Sequence, residues 1–136
     1  MADIKDVALN LSRAIMNGES DKVDDLLADE FKYTGDGNPP IDKQQYIDFM
    51  RGVLCAGMSD MDMTFLRVIA EGDLAAVDHT NAMTISGAFY GVPATEKRVL
   101  GTGQFMRAVT AGKVAAEWQA TNALGLMQQL GVMPAG

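Results

Sequence analysis

Strict alternation of side-chain type over residues 74–86 constrains the fold of this chain more than any other feature. Two interleaved sets of residues share this stretch. The first set is mostly apolar and consists of Ala75, Val77, His79, Asn81, Met83 and Ile85. The second set is small or polar and consists of Ala76, Asp78, Thr80, Ala82, Thr84 and Ser86. Because successive side chains of a β-strand point to opposite faces, this period of two predicts a long strand whose first set faces the interior.

His79, the only histidine of the chain, and Asn81 are the two polar members of the apolar set. A buried imidazole or amide without a hydrogen-bond partner costs about 1–3 kcal/mol, so each needs a partner in the protein or in a ligand. Two interpretations stay open: a core histidine held by a neighbouring side chain, or a pocket histidine near its titration range. The second interpretation makes His79 a candidate acid/base residue, with Asn81 and Met83 as candidate substrate-binding residues on the same face.

Apolar periodicity and turn residues predict the remaining elements. The predicted helices run from Ile4 to a stop at Gly18, from Ser20 through Leu27, and from Asp42 to a stop at Gly57, with a short strand at 31–33 before the third helix. Asp42, with Gln45 three residues later, matches a capping box. From residue 58 the period changes, and the predicted strands cover residues 61–71, 74–89, 97–110 and 113–121, followed by a short helix at 123–130. Helices followed by antiparallel strands predict one α+β domain over residues 1–136, with the helices on one face of the sheet.

Composition narrows the classes of function. Eleven Lys and Arg against 18 Asp and Glu give a net charge of −7, which disfavours nucleic acid and anionic membrane surfaces as partners. The lone cysteine, Cys55, excludes an internal disulfide, and the sequence has no spacing typical of a metal site, a phosphate loop or a nucleophile elbow. Neither a signal peptide nor an apolar run of about 20 residues is present. We therefore expect a cytoplasmic protein that uses no metal and no cofactor.

The last predicted strand also has two faces, but their meaning is open. One face carries Val114, Ala116, Trp118 and Ala120, and the other carries Ala115, Glu117, Gln119 and Thr121. The polar face could point to solvent. It could equally line the polar part of a pocket, in which case Trp118 would pack against a second subunit.

Three segments of the C-terminal half carry a recognisable pattern. They are Gly-Ala-Phe-Tyr-Gly-Val-Pro-Ala-Thr at 87–95, Gly-Lys-Val-Ala-Ala-Glu-Trp at 112–118 and Leu-Gly-Leu-Met-Gln-Gln-Leu-Gly-Val at 124–132. Together with His79-Thr80, they resemble the SnoaL-like polyketide cyclase family of the nuclear-transport-factor-2-like superfamily. The resemblance implies a cone-shaped, curved antiparallel sheet wrapped around three N-terminal helices and enclosing an apolar pocket. It also implies a homodimer through the outer face of the sheet.

The resemblance bears on chemistry as well. The best-known family members close a ring in aromatic polyketides by an intramolecular aldol condensation, for which one positioned acid/base residue suffices. The family places Glu117 and Gln119 in the cavity and carries its acid/base aspartate where this chain has Gln119. A glutamine can donate or accept a hydrogen bond but cannot shuttle a proton. Glu117, as a carboxylate in an apolar pocket, could take over that role.

These observations lead us to expect an enzyme that performs aldol-type or isomerase chemistry on a small apolar carbonyl compound, such as a polyketide. His79 or Glu117 would be the catalytic acid/base group. The substrate-binding residues would be Asn81, Gln119, Trp118 and Met83. A noncatalytic small-ligand-binding protein and a cofactor-free hydroxylase on the same fold are the alternatives.

Overall fold

The computed structural model describes residues 3–55, 57–87 and 95–132. The helices in these residues are α1 (Ile4–Met16), α2 (Ser20–Leu26), α3 (Lys43–Phe49) and α4 (Ala123–Leu130), with a π-helical segment at Met50–Cys55. The strands are β1 (Leu27–Gly35), β2 (Ile41–Asp42), β3 (Met58–Glu71), β4 (Leu74–Ile85), β5 (Arg98–Thr110) and β6 (Lys113–Thr121). In the part of the chain so described, no helix combines the length and the apolar character needed to cross a membrane.

The six strands form one curved sheet in the order β2-β1-β6-β5-β4-β3. From β3 to β6, each strand pairs antiparallel with the next strand along the chain, as predicted, whereas β1 runs parallel to β6. The predicted α+β class with a curved sheet is confirmed, and the sheet, which was expected to be antiparallel, also contains one parallel pair of strands, β1 and β6. Two-residue turns at 72–73 and 111–112 force antiparallel pairing of β3 with β4 and of β5 with β6. The long stretch of chain between β1 and β6 imposes no such direction.

Local capping signals explain where the helices begin and end. Asp3 accepts a hydrogen bond from the backbone N–H of Lys5 at 2.8 Å and caps α1. The predicted capping box is present, because Asp42 and Gln45 each accept a bond from the other's backbone N–H at 2.9 Å. The predicted third helix leaves the α conformation after Phe49 and continues as the π-helical segment.

The helices cover one face of the sheet, and the core lies between the two layers. The main cluster joins α1 and α3 to β1 and β6, and its fully buried members include Leu11, Leu27, Phe31, Tyr46 and Val114. A second, methionine-rich cluster lies where α4 packs on β5, and it contains Met58, Met83, Ile85, Val99, Leu126 and Leu130. A small third cluster of Leu9, Val77 and Phe105 lies between them.

Irregular pairing bends the sheet around this core. Strand β3 changes register against β4 between Ser59 and Asp62 and again between Phe65 and Arg67. An extra residue in one strand bends it and increases its twist. The predicted strand at 74–89 is described as β4 up to Ile85. Most of the motif at 87–95 falls on residues 88–94, outside the described residues.

Candidate functional site

His79 lies on the interior face of β4, as the alternation predicts. Only 7% of its surface is exposed. Its cross-strand neighbours are Phe65 on β3 and Gly103 on β5, and its ring centroid lies 5.3 Å from that of Phe105. Among the described residues, neither ring nitrogen has a hydrogen-bond partner. Within the described part of the chain, this buried imidazole is therefore held by apolar and aromatic contacts, and both of its nitrogens are unused.

Asn81 is the next residue after His79 on the same face of β4, and it also has a polar atom without a partner in the described residues. The residue is half-buried, and its Oδ1 atom has no partner within the described part of the chain. Across the strands it faces Met63 and Gly101. Buried polar side-chain atoms usually find a hydrogen-bond partner, so two adjacent exceptions need a reason. A ligand that supplies the missing hydrogen bonds is such a reason.

Glycines on β5 face both of these polar side chains. Gly101 lies opposite Asn81, and Gly103 lies opposite His79. A Cβ on Gly101 would lie 3.2 Å from the terminal methyl group of Met83, and one on Gly103 would lie 2.6 Å from the backbone oxygen of Ala120. Gly103 thus permits a close strand approach that any side chain would disturb. Because neither glycine has a side chain, none from these positions covers His79 or Asn81.

The surroundings of His79 determine its charge. Burial lowers the pKa of the His79 imidazole, the positive charge of Arg107 lowers the pKa further, and the carboxylate of Asp78 opposes these two effects. The imidazole is consequently neutral near pH 7. A neutral imidazole has one N–H donor and one acceptor nitrogen. It can therefore accept a proton from a bound molecule.

Glu117 belongs to a second, deeper polar cluster on the interior face. The residue is 1% exposed, and its Oε1 atom accepts a 2.6 Å hydrogen bond from Nε of Arg107 and a 3.4 Å bond from the hydroxyl of Tyr46. Burial, followed by the nearby Glu117 charge, raises the pKa of Tyr46 well above its usual value, so the phenol remains a donor. The Oε2 atom of Glu117 has no partner among the described residues. The predicted candidate base is thus an ion-paired carboxylate.

Arg107 joins this cluster to helix α1. Its Nη1 atom donates to Oγ of Ser12 at 2.8 Å and to the backbone oxygen of Ala8. Its guanidinium carbon lies 4.0 Å from the ring centroid of Phe105, the ring that also contacts His79. One aromatic ring therefore touches both the candidate acid/base residue and the buried ion pair.

The structure distributes the other predicted site residues unevenly. Met83 is 2% exposed and lies in the methionine-rich cluster on the same face as His79. Gln119 is half-buried, lies opposite Phe105 and donates to Oγ1 of Thr121 at 3.0 Å. Trp118 lies on the outer face of the sheet and is 41% exposed, so the structure does not bring it together with His79.

Sequence reasoning did not assign a site role to Tyr46, Ser12 or Phe105, which the structure places around the ion pair. One signal was available. Arg107 alternates with Phe105 and Val109 on an apolar strand face, and a buried arginine needs a carboxylate partner. The tyrosine and the serine come from helices whose register against the sheet the pattern does not reveal.

A groove of about 570 Å³ opens on the outer face of the sheet, lined by residues that include Arg67, Ile69, Asp78, Gln104, Met106 and Trp118. The pocket predicted from the sequence was expected on the interior face, around His79, whereas this groove lies on the opposite face of the sheet. In the described part of the interior, the small cluster of Leu9, Val77 and Phe105 packs beside the histidine. No group of three or more His, Cys, Asp or Glu side chains in the described ranges is placed to hold a metal ion.

Comparison with known proteins places this geometry in a family. A family profile described as SnoaL-like polyketide cyclase matches residues 5–130. AclR from Streptomyces galilaeus, described as "a putative hydroxylase", superimposes with a TM-score of 0.88 at 23% identity, over 100% of this chain and 85% of its own. IdmH from Streptomyces antibioticus, "a putative polyketide cyclase", gives 0.84 at 24% identity, over 96% of this chain and 100% of its own.

A third similar structure is an LEH-like epoxide hydrolase from M. tuberculosis, with a TM-score of 0.73 at 18% identity over 93% of this chain and 88% of its own. No curated protein sequence matches the chain significantly. At these identities the solved structures establish the fold alone.

Proposed function

The chain belongs to the SnoaL-like polyketide cyclase family, and on this premise we propose that it converts a small, largely apolar carbonyl compound by acid/base chemistry. His79 is the acid/base residue, and Asn81 orients the substrate. One observation carries the proposal: two adjacent polar side chains on an apolar strand face have unused hydrogen-bonding atoms within the described residues. A carbonyl compound with an enol or hydroxyl group, bound against them, would supply a proton to transfer to the imidazole and a donor for the Oδ1 atom of Asn81.

The proposed reaction begins with removal of a proton from a carbon that lies next to a carbonyl group. The neutral His79 imidazole takes this proton, and the electron pair of the C–H bond delocalises into the carbonyl as an enolate. In an aldol step, the enolate carbon attacks a second carbonyl carbon of the same molecule. The resulting alkoxide then takes a proton from the imidazolium, which restores the neutral residue. The Nδ2 group of Asn81 can donate a hydrogen bond to the oxygen on which negative charge develops, and its Oδ1 atom can accept one from an enol or hydroxyl group of the substrate.

Two predicted residues of β6 have other roles in this proposal. The carboxylate of Glu117 is engaged by Arg107 and Tyr46, so we assign proton transfer to His79 alone. Gln119 occupies the position of the family's aspartate, and its amide can hold a substrate oxygen but cannot carry a proton. The acid/base group is thereby moved from β6 to β4.

Hydrogen–deuterium exchange at carbon tests the proposal without knowledge of the natural substrate. Apolar 1,3-diketones in D₂O serve as probes, and proton NMR follows the loss of their α-hydrogens. We expect His79→Gln to reduce the protein-dependent exchange rate by at least about 100-fold, which is the usual contribution of a general base. Thr80→Val is the matched control, because it changes the adjacent residue on the opposite face of β4. Exchange that is equally fast in both variants would refute the role of His79.

Two alternatives keep the binding of a small molecule at His79 and Asn81 but change what happens to it. The glutamine at position 119 favours a noncatalytic binding protein, which would bind the diketones without exchanging their α-hydrogens. The likeness to AclR favours a cofactor-free hydroxylase, which would consume oxygen when it acts. Gln119→Asp restores the family's acidic group, so exchange that appears only in this variant would indicate that the native chain lacks the acid/base activity. Oxygen consumption by the native chain then separates the hydroxylase from the binding protein.

We also propose that the chain forms a homodimer through the outer face of the sheet. Ile69, Met106 and Trp118 are 68%, 45% and 41% exposed on this face, although apolar side chains of this size are normally buried. Arg67 and Asp78, a cation and an anion, lie on the same face. A two-fold axis through it can therefore place opposite charges of two copies against each other. The cytoplasmic location expected from the sequence stays a prediction.

A further inference from the structure

We propose that Arg107 and Glu117 are positioning residues for His79, because their ion pair holds a fixed positive charge against the aromatic ring that the imidazole contacts. This inference rests on the proposed acid/base role of His79. It assigns the buried pair a task in the reaction in addition to its place in the core.

The contacts form an unbroken series. Glu117 binds Nε of Arg107 at 2.6 Å, the guanidinium carbon lies 4.0 Å from the centre of the Phe105 ring, and that centre lies 5.3 Å from the His79 ring. Ser12 and the backbone oxygen of Ala8 hold the other side of the guanidinium. The charge of Arg107 therefore has little freedom to move, and it lies within about 9 Å of the imidazole.

The positive end of the ion pair faces His79. Removing a proton from carbon requires a neutral imidazole, and a nearby guanidinium disfavours the charged form. Consistent with this, Arg107 contributes to the lowered pKa of His79, second only to burial. Glu117 lies on the far side of Arg107, so it limits the effect of the guanidinium on the imidazole without cancelling it.

Other charged groups near His79 are either exposed or separated from it by the sheet. Arg13 of α1 lies over Phe65 at 5.7 Å, but its side chain is exposed to water. The Asp78 side chain lies on the opposite face of β4, where it binds Arg67 and accepts a 3.0 Å hydrogen bond from Gln104. In the described residues around the imidazole, the buried charges are those of Arg107 and Glu117.

The test uses the fact that His79 is the only histidine in the chain. Its Cε1–H signal is then the single imidazole resonance in an NMR titration, which needs no substrate. A unit charge about 9 Å away, at an effective dielectric constant of about 20, shifts a pKa by about one unit. We therefore expect Glu117→Gln alone to lower the pKa of His79 by up to about one unit, because it leaves the guanidinium uncompensated. The double variant Arg107→Gln/Glu117→Gln removes two opposite charges whose effects largely offset each other, so it should raise the pKa by only a few tenths of a unit, the excess due to the nearer guanidinium.

Arg13→Gln provides the matched control, since it removes an arginine that lies over the other aromatic neighbour of His79 but is exposed to water. We expect that change to leave the pKa of His79 within about 0.2 units of the wild type, because water screens an exposed charge. The double variant keeps two neutral side chains of similar shape, so the pKa of His79 can be measured in it even if Glu117→Gln alone does not fold.

Two results would overturn the inference: a Glu117→Gln variant with the wild-type pKa of His79, or an Arg13→Gln shift as large as that of Glu117→Gln. Neither result depends on turnover, so failure here is distinguishable from failure of the proposed function. The latter is tested by α-hydrogen exchange in His79→Gln.

Discussion

Replacing Arg107 by methionine is expected to lower the free energy of unfolding by about 3–5 kcal/mol, the usual loss when one partner of a buried ion pair is removed. Arg107 and Glu117 are only 3% and 1% exposed, so water cannot replace the lost contact. Methionine retains most of the apolar stem of arginine. The loss therefore comes mainly from an uncompensated carboxylate and from the donors withdrawn from Ser12 and Ala8, with little contribution from a cavity.

Urea unfolding followed by circular dichroism measures this loss. With a slope of about 2 kcal/mol per molar urea, typical of a small domain, the midpoint should fall by about 2 M. Two further variants show whether the buried pair is responsible. Arg107→Met/Glu117→Gln should recover part of the loss, because it leaves no unpaired charge. Arg13→Met removes an arginine that also lies over an aromatic ring, but on the surface, and should change the stability by less than about 0.5 kcal/mol. The reasoning is refuted if Arg107→Met is no more destabilising than Arg13→Met.

Three other predictions follow from burial, backbone geometry and the outer face. The pKa of His79 is lowered in the folded state. In the unfolded chain this pKa is about 6.5, so at pH values near and below 6.5 the unfolded chain binds more protons than the folded chain. Stability should fall as the pH drops from 7.5 to 5.5, and urea midpoints should show less of that fall in His79→Gln; an equal fall in both proteins would contradict this. Gly103→Ala should lower the unfolding free energy by about 1–3 kcal/mol, because its Cβ would lie 2.6 Å from the backbone of Ala120. Gly52→Ala, with no atom within 4 Å, is its control, and equal unfolding midpoints for the two variants would count against the steric argument. Sedimentation at micromolar concentration should show a wild-type dimer and a monomeric Trp118→Lys variant, and a monomeric wild type would end the dimer proposal.

Much of the local structure could be read from the residues alone. The alternation over residues 74–86 identifies β4 and places His79 inside, because side-chain period depends only on neighbouring residues. The capping box at Asp42 likewise lies within one helical turn. The likeness of the C-terminal motifs to a family adds the layout of the fold. It correctly indicates that Glu117 faces inward.

Contacts between distant segments depended on the packed fold. Nothing in the pattern of β1 reveals that it pairs parallel to β6, because neither strand is joined to the other by a turn. For the same reason, the sequence left Glu117 as a free candidate base, whereas packing bound it to Arg107 and Tyr46. The alternation of side chains along a strand indicates which face each side chain lies on. The residue that a side chain contacts depends instead on how the helices and strands pack against each other.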